Sequence, residues 1–279
     1  MANDLKNLHL AFIGCGVMGE SMVAGLVNNK IVNPANITAS HPRESRRAEL
    51  AEKYGISVFA NNAAAAEKVA GGENSAIVLC VKPQRVERVL QDLTGVLHPE
   101  QLVISIVAGA TIHHLAEALG TAKIVRAMPN TPSQIGAGIT AWTCTVAVDE
   151  TDRNHVRELL TALGKELFVE TENMIDMATS LSATGPTYIF MVMEALTDAG
   201  VHLGFSRDMA KELVQETMLG SVKFAMDSHK HPAELRNMVT SPGGTSAEAI
   251  YQMEKGTLRT VLSKAVYAAY KRAVELGKK

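Results

Sequence analysis

Two short runs carry residue types that can do chemistry. The first is Gly14-Cys15-Gly16-Val17-Met18-Gly19, set between an apolar run, Leu8–Ile13, and a helical pattern. The first glycine permits a tight turn, the second lets backbone amides approach a pyrophosphate, and the third allows close packing of helix on strand. A helix start adds partial positive charge, so Gly14, Gly16, Val17, Met18 and Gly19 are candidate ligands of a dinucleotide. A glycine-rich turn that binds nothing is the competing reading, and the order strand, turn, helix at the head of the chain argues against it. The second run is Ser241-Pro242-Gly243-Gly244-Thr245-Ser246, leading into Ala247-Glu248. Thr245 and Glu248 have the spacing of a capping box at a helix start. Capping alone does not require Ser-Pro-Gly-Gly, whose uncovered amides and helix dipole together suit a carboxylate. Ser241, Gly243, Gly244 and Thr245 are therefore candidate substrate ligands, with the Ser246 hydroxyl at the rim. An ordinary helix start with a flexible lead-in is the alternative left open.

Further candidates follow from the ends of predicted strands. The second strand closes with Ser40-His41-Pro42-Arg43 and meets no acid until Glu44. An NAD enzyme usually places an acid there to accept from the ribose 2′-hydroxyl. Ser40 can donate to a phosphate and Arg43 can pair with one as a fork, so NADPH is expected over NADH. A solvated Arg43 that merely opens the next helix is the plainer reading. Asn62, just before the following helix, is grouped with the cofactor ligands. Val81, Lys82 and Pro83 after the fourth strand, and Ala108 and Gly109 after the fifth, fall on the edge where ligands of parallel sheets collect. Asn130, between two prolines after the sixth strand, is a candidate for the nicotinamide or the substrate, or else a turn residue bonding its own backbone.

The elements that must position these groups are legible as alternating patterns. Strands are predicted at Leu8–Ile13, Ile37–Ser40, Ile56–Phe59, Ala76–Val81, Leu102–Val107 and Lys123–Met128. Helical patterns at Val17–Asn29, Glu44–Tyr54, Ala63–Val69 and Ile112–Leu119 intervene, which argues for a parallel sheet with helices on both faces. Runs at Ile139–Val148 and Glu166–Val169, flanking a helix at Asp152–Leu163, extend that sheet. After residue 171 the pattern is helical only: a helix opened by Pro186 and running to about Gly204, then Arg207–Met226, Pro232–Val239, Ala247–Glu254 and Leu258–Leu276. The expected fold is thus α/β, a Rossmann-like doubly wound domain over 1–170 followed by an all-helical domain over 171–279.

Composition narrows the function classes. The 279 residues exceed the usual size of one core. A net charge of −2 offers no field for nucleic acid or an anionic membrane, and 4% aromatic residues leave little surface for stacking bases. No apolar run is long enough for a membrane span, and the start Met1–Lys6 shows no signal-peptide core. Cys15, Cys80 and Cys144 are odd in number and far apart, with neither metal spacing nor a disulfide pattern, so a reducing cytoplasm is expected. No metal site is expected. His113, His114, His229 and His231 read as structural or solvated residues.

These residues resemble one family along essentially the whole chain. Ser241–Ser246 with Ala249 and Glu254-Lys255-Gly256 looks like the signature of Δ1-pyrroline-5-carboxylate reductases. Gly14–Gly19, Val81-Lys82-Pro83, Ile104-Ser105 with Ala108-Gly109, and Arg126–Pro132 match in order and spacing. So do Gly185-Pro186 with Tyr188, Glu194-Ala195-Leu196, Asp198–Val201, Gly204, Arg207 and His231-Pro232. The resemblance implies reduction of a cyclic imine carboxylate to L-proline with NAD(P)H, the last step of proline synthesis. It also implies dimers through interleaved carboxy-terminal helices, with larger rings in some members; a substrate site completed across such an interface is a hypothesis that a fully active monomer would refute. On this reading Gly243, Gly244 and Thr245 amides hold the carboxylate with help from Ser241, and the Ser246 hydroxyl orients the ring nitrogen or relays a proton to it. Two positions depart: Ser246 stands where threonine is usual, and Ala183-Thr184 replaces a small Gly/Ser pair. The competing functions are a two-domain hydroxyacid dehydrogenase and a non-catalytic NADP(H) sensor. The first typically needs a lysine in the helical domain, and no lysine follows Pro186 before Lys211. The second has no use for the anion cradle.

Overall fold

Strand β1, His9–Ile13, is apolar at successive positions because both of its faces are covered. Leu10 and Phe12 point into one core with α1 (Val17–Asn28), whereas Ala11 and Ile13 point into a second core on the opposite face. That second core also takes Val86, Val89, Leu90 and Leu93 of α4, Val86–Leu93. The computed structural model describes residues 5–70 and 74–277, so the first four residues of the amino-terminal run lie outside it. The remaining strands are β2 (Ile37–Ser40), β3 (Ser57–Phe59), β4 (Ser75–Leu79), β5 (Leu102–Ser105), β6 (Ile124–Met128), β7 (Gly138–Cys144) and β8 (Gly164–Phe168). Their order is β3-β2-β1-β4-β5-β6-β7-β8, and all neighbours are parallel except β6 and β7. The chain reverses direction of growth between β1 and β4, so both strand ends open onto one crevice.

The doubly wound sheet expected from the sequence is present, with corrected edges. β4 ends at Leu79 and β5 at Ser105, each two residues short of its predicted end, because the chain turns there into the loops of Lys82-Pro83 and Ala108-Gly109. Helix α4 was not expected, although its buried positions repeat at i, i+3, i+4 and i+7. The others in this part are α2 (Glu44–Tyr54), α3 (Asn62–Glu67), α5 (Ile112–Leu119), α6 (Glu150–Thr161) and α7 (Asn173–Ala178).

The chain forms two compact units, one running to Thr184 and taking back the residues from Ala269, the other Gly185–Ala268. Composition changes earlier, at the expected 170/171 division. The helical residues just past it stay with the sheet because Ile175 is buried and buried Arg126 of β6 pairs with Glu172 (2.9 Å) and Asp176 (2.7 Å). A π turn, Thr179–Ala183, then holds Thr184, whose N–H and hydroxyl both donate to the Thr179 carbonyl. The second unit contains α8 (Gly185–His202), α9 (Arg207–Ser228), α10 (Pro232–Met238) and α11 (Thr245–Lys255); α12 (Leu258–Leu276) begins there and ends in the first. Gly200 lets α9 approach closely, since a Cβ there would stand 2.9 Å from that of Ala210.

α1 and α2 are tied by Glu20, whose carboxylate accepts from Arg46, Lys53 (3.0 Å) and Tyr54 (2.8 Å). Burial alone would raise its pKa, but the hydrogen bonds from Lys53, Arg46 and Tyr54 win and hold it at about 2. A depressed carboxylate stabilises the fold above its ordinary pKa and loses that contribution as pH falls through the folded value. Glu20→Gln should therefore cost about 1–2 kcal/mol near neutral pH, screening by solvent reducing the effect. Urea unfolding should show the deficit shrinking between the unfolded pKa of 4.5 and about pH 2. A deficit independent of pH would refute the electrostatic account.

Candidate active site

Among the described residues, α1 and α11 have a glycine at the cap position and so no side-chain cap, Gly16 in α1 and Gly244 in α11. By contrast α3, α5, α6, α9 and α10 start on Asn61, Thr111, Asp149, Ser206 and His231, whose side chains each accept a first-turn N–H. An uncapped start leaves donors free for an anion. In α1 the N–H groups of Val17, Met18 and Gly19 have no partner among the described residues. Gly14 has φ +79°, and a Cβ there would lie 2.0 Å from Val81 Cγ1, so the loop just past β4 packs directly on the turn. Gly16 meets nothing closer than 3.8 Å, which leaves its face open. A Cβ on Gly19 would meet Cys80 Sγ at 2.7 Å. The two buried thiols below the turn are packing groups, since burial pushes Cys15 up to about 12 and Cys80 well above its ordinary value.

Ser40 ends β2 as expected, but its hydroxyl is engaged within the fold. It is fully buried, its hydroxyl accepts the Gly14 N–H (2.9 Å) and donates to Asn62 Oδ1 (2.6 Å), and its carbonyl accepts the Cys15 N–H (2.8 Å). A hydroxyl has one proton, so Ser40 braces the turn here rather than presenting a donor to a phosphate. Asn62 Nδ2 donates to Asp92 (2.8 Å), which fixes the amide with its oxygen toward Ser40. Arg43 is exposed, forms no ion pair among the described residues, and starts α2 without a side-chain cap. Lys82 is exposed beside half-buried Val81 and Pro83.

Three expected ligands on the same sheet edge are engaged structurally. Gly109 has φ +78°, and a Cβ there would come within 2.8 Å of the Leu276 backbone, so its bare Cα admits the end of α12; Ala108 beside it packs against the small core around Met128 and Ile175. Asn130 Oδ1 accepts the Ile139 N–H (3.0 Å) and Nδ2 reaches Ser182 Oγ at 3.4 Å. The asparagine thus braces the entry to β7, nine residues on, instead of its own turn.

At α11 the predicted capping box is corrected. Gly244 takes the cap position with extended backbone, φ −81° and ψ 170°, and Thr245 becomes the first helical residue. A glycine has no side chain to cap with, and Glu248 instead accepts from Gln252 (2.8 Å). The Gly244 N–H is also occupied, donating to the Ser241 carbonyl at 3.0 Å in the preceding turn, where Gly243 has φ +69°. Three amides, those of Gly243, Thr245 and Ser246, have no partner among the described residues, nor have the hydroxyls of Ser241, Thr245 and Ser246. The cradle therefore persists with Ser246 replacing Gly244 as an amide donor. Among the described residues no group of His, Cys, Asp and Glu could hold a metal ion, and no helix is long and apolar enough to cross a membrane.

Known proteins share both halves of this arrangement. Residues 172–276 match the family described as pyrroline-5-carboxylate reductase dimerisation, and residues 9–109 the one described as NADP oxidoreductase, coenzyme F420-dependent. The pyrroline-5-carboxylate reductase of Synechocystis is 37% identical over 98% of this chain and all of its own. That of Pseudomonas aeruginosa is 39% identical over 96% of both. The chain belongs to the pyrroline-5-carboxylate reductase family. The crystal structure of the Plasmodium falciparum pyrroline carboxylate reductase with NADP bound superposes with a TM-score of 0.88 at 31% identity, covering 98% of this chain and 99% of that one.

Within the family frame, the two departures seen in the sequence acquire places. Ser246 is half-buried in the first turn of α11, its hydroxyl open. Ala183 closes the π turn, and Thr184 is the residue that pins it. Sequence reading passed over Glu20, His41, Arg47 and Asp92, all within hydrogen-bond reach of α1, α2 or the residues that hold the turn. Only Arg47 had a local signal, its spacing of one helical turn from Arg43.

Proposed function

We propose that this protein reduces Δ1-pyrroline-5-carboxylate to L-proline, with NADPH preferred over NADH. The observation that carries this reading is the uncapped start of α11, where the amides of Gly243, Thr245 and Ser246 have no partner among the described residues, in a family of pyrroline-5-carboxylate reductases. Gly14, Gly16 and the amides of Val17, Met18 and Gly19 would hold the pyrophosphate, with Val81, Lys82 and Pro83 beside them and Arg43 at a 2′-phosphate. The bound nicotinamide supplies a hydride, which with one proton converts the C=N bond to CH–NH. The chain's own work is to bind, orient and exclude water. Amides of Gly243, Thr245 and Ser246 take the substrate carboxylate, with the Ser241 hydroxyl at the rim. The Ser246 hydroxyl faces the ring nitrogen and orients it. The cyclic imine arrives protonated, so no strong general acid is needed.

Ser246→Ala should then raise KM for the imine about tenfold and leave kcat within about threefold, as loss of one hydrogen bond to a charged group implies. A collapse of kcat at unchanged KM would assign the hydroxyl to proton relay instead. We read the assembly as a homodimer or larger. Support comes from the matched dimerisation region and from exposed apolar side chains on α8 and α9, among them Phe190, Met191, Leu213 and Phe224. Light scattering that finds a fully active monomer would overturn this. The setting we infer is the cytoplasm, in keeping with three free cysteines.

A further inference from the structure

Helix α2 begins with three arginines inside one turn, Arg43, Arg46 and Arg47, and the structure gives each a different task. Arg46 turns toward α1 and is neutralised by Glu20 and by Glu49 (2.6 Å), leaving its side chain 15% exposed. Arg43 stays exposed, and its backbone N–H donates to His41 Nδ1 at 3.2 Å. Arg47 folds back over the preceding loop, where its Nη1 donates to the carbonyls of both His41 (3.1 Å) and Pro42 (2.9 Å).

The geometry points to Arg47 as the residue that sets discrimination for the 2′-phosphate of NADP(H), acting through the loop that carries Arg43. The inference rests on the assignment of Arg43 to that phosphate. Bare carbonyl oxygens on this loop would repel a phosphate dianion and accept instead from a ribose hydroxyl, which favours NADH. Covering both oxygens with one cation removes that repulsion. It also fixes the loop: Pro42 sets its own φ, the His41 N–H is held by the Phe59 carbonyl at 3.0 Å, and Arg47 closes the remaining side. Convergence of the arginines is felt by His41, whose pKa is lowered by burial first and then by the charges of Arg43, Arg46 and Arg47. The uncapped start of α2 adds free amides to the same place.

The test is calorimetric titration of the full-length protein with 2′,5′-ADP and with 5′-AMP, which differ only in the 2′-phosphate. Arg47→Met should weaken 2′,5′-ADP by about tenfold or more and 5′-AMP by less than about twofold, the loss expected for a charged hydrogen-bonding group. Arg47→Lys, whose single nitrogen can reach both carbonyls, should keep selectivity within about threefold and guards against a methionine variant that fails to fold. In an Arg43→Met background the Arg47→Met loss on 2′,5′-ADP should shrink to about threefold or less, because only the repulsion from the two uncovered carbonyls then remains. Equal weakening of both nucleotides, or additive losses in the double variant, would overturn the positioning role. Should Arg43→Met leave 2′,5′-ADP affinity intact, the assignment of Arg43 itself fails, a result separable from the others.

Discussion

Replacing Thr245 by proline is expected to raise KM for the imine carboxylate about 10–100-fold while leaving the fold and nucleotide affinity as they are. The expectation follows from the backbone. Thr245 is the first residue of α11, the position where proline is best tolerated because its N–H has no helical acceptor. Gly244 before it already has the extended ψ of 170° that a residue preceding proline adopts. The substitution therefore deletes one of three open amides without unwinding the helix. A hydrogen bond to a carboxylate contributes about 1.5–3 kcal/mol, which sets the range. Thr245→Ala removes the hydroxyl alone and should stay within about threefold of the parent. A proline variant with unchanged KM would take the carboxylate away from this helix start.

Gly14→Ala should have the largest effect at the other site. The new Cβ would have to occupy space 2.0 Å from Val81 Cγ1 and sit at φ +79°. Left-handed backbone costs about 1–2 kcal/mol for an L-residue, and overpacking about 1–3 kcal/mol more. Because the turn also aims the Val17, Met18 and Gly19 amides, nucleotide affinity should fall at least about a hundredfold, and Tm by several degrees. Adding Val81→Ala relieves the clash but not the φ, so it should restore part of the Tm and little of the affinity. Full recovery of both in the double variant would show that crowding alone, and not the turn's conformation, was at stake.

The fold was legible because its signals are local. β1 and β4 are continuous apolar runs, as strands buried on both faces must be, and the glycine turn sits where a strand hands over to a helix. Helix α4 had the same kind of signal but is only eight residues long and starts from a short turn at Pro83–Arg85. The site was legible only in outline. Gly14 and Gly19 could be read from spacing, since the strand–turn–helix order places them, although the side chains that crowd them, Val81 and Cys80, lie beyond β4. Ser40 could not: its hydroxyl is engaged by Asn62, twenty-two residues on, and the orientation of Asn62 depends on Asp92 of α4. The cradle at α11 was found for a partly mistaken reason. Thr245 and Glu248 have capping-box spacing, yet a glycine before them took the cap and so left the amides free. Asn130 and Gly109 illustrate the reverse case, residues at a ligand-binding edge whose contacts turn inward to β7 and α12.

The central claim is tested most directly by mixing the purified protein with NADPH and Δ1-pyrroline-5-carboxylate and following loss of the reduced nicotinamide absorbance, with NADH in parallel. Rapid loss that requires the imine, yields L-proline, and is faster with NADPH at equal low concentration is the predicted result. Demonstrated NADPH binding with no imine-dependent oxidation by either cofactor would contradict the assigned reaction.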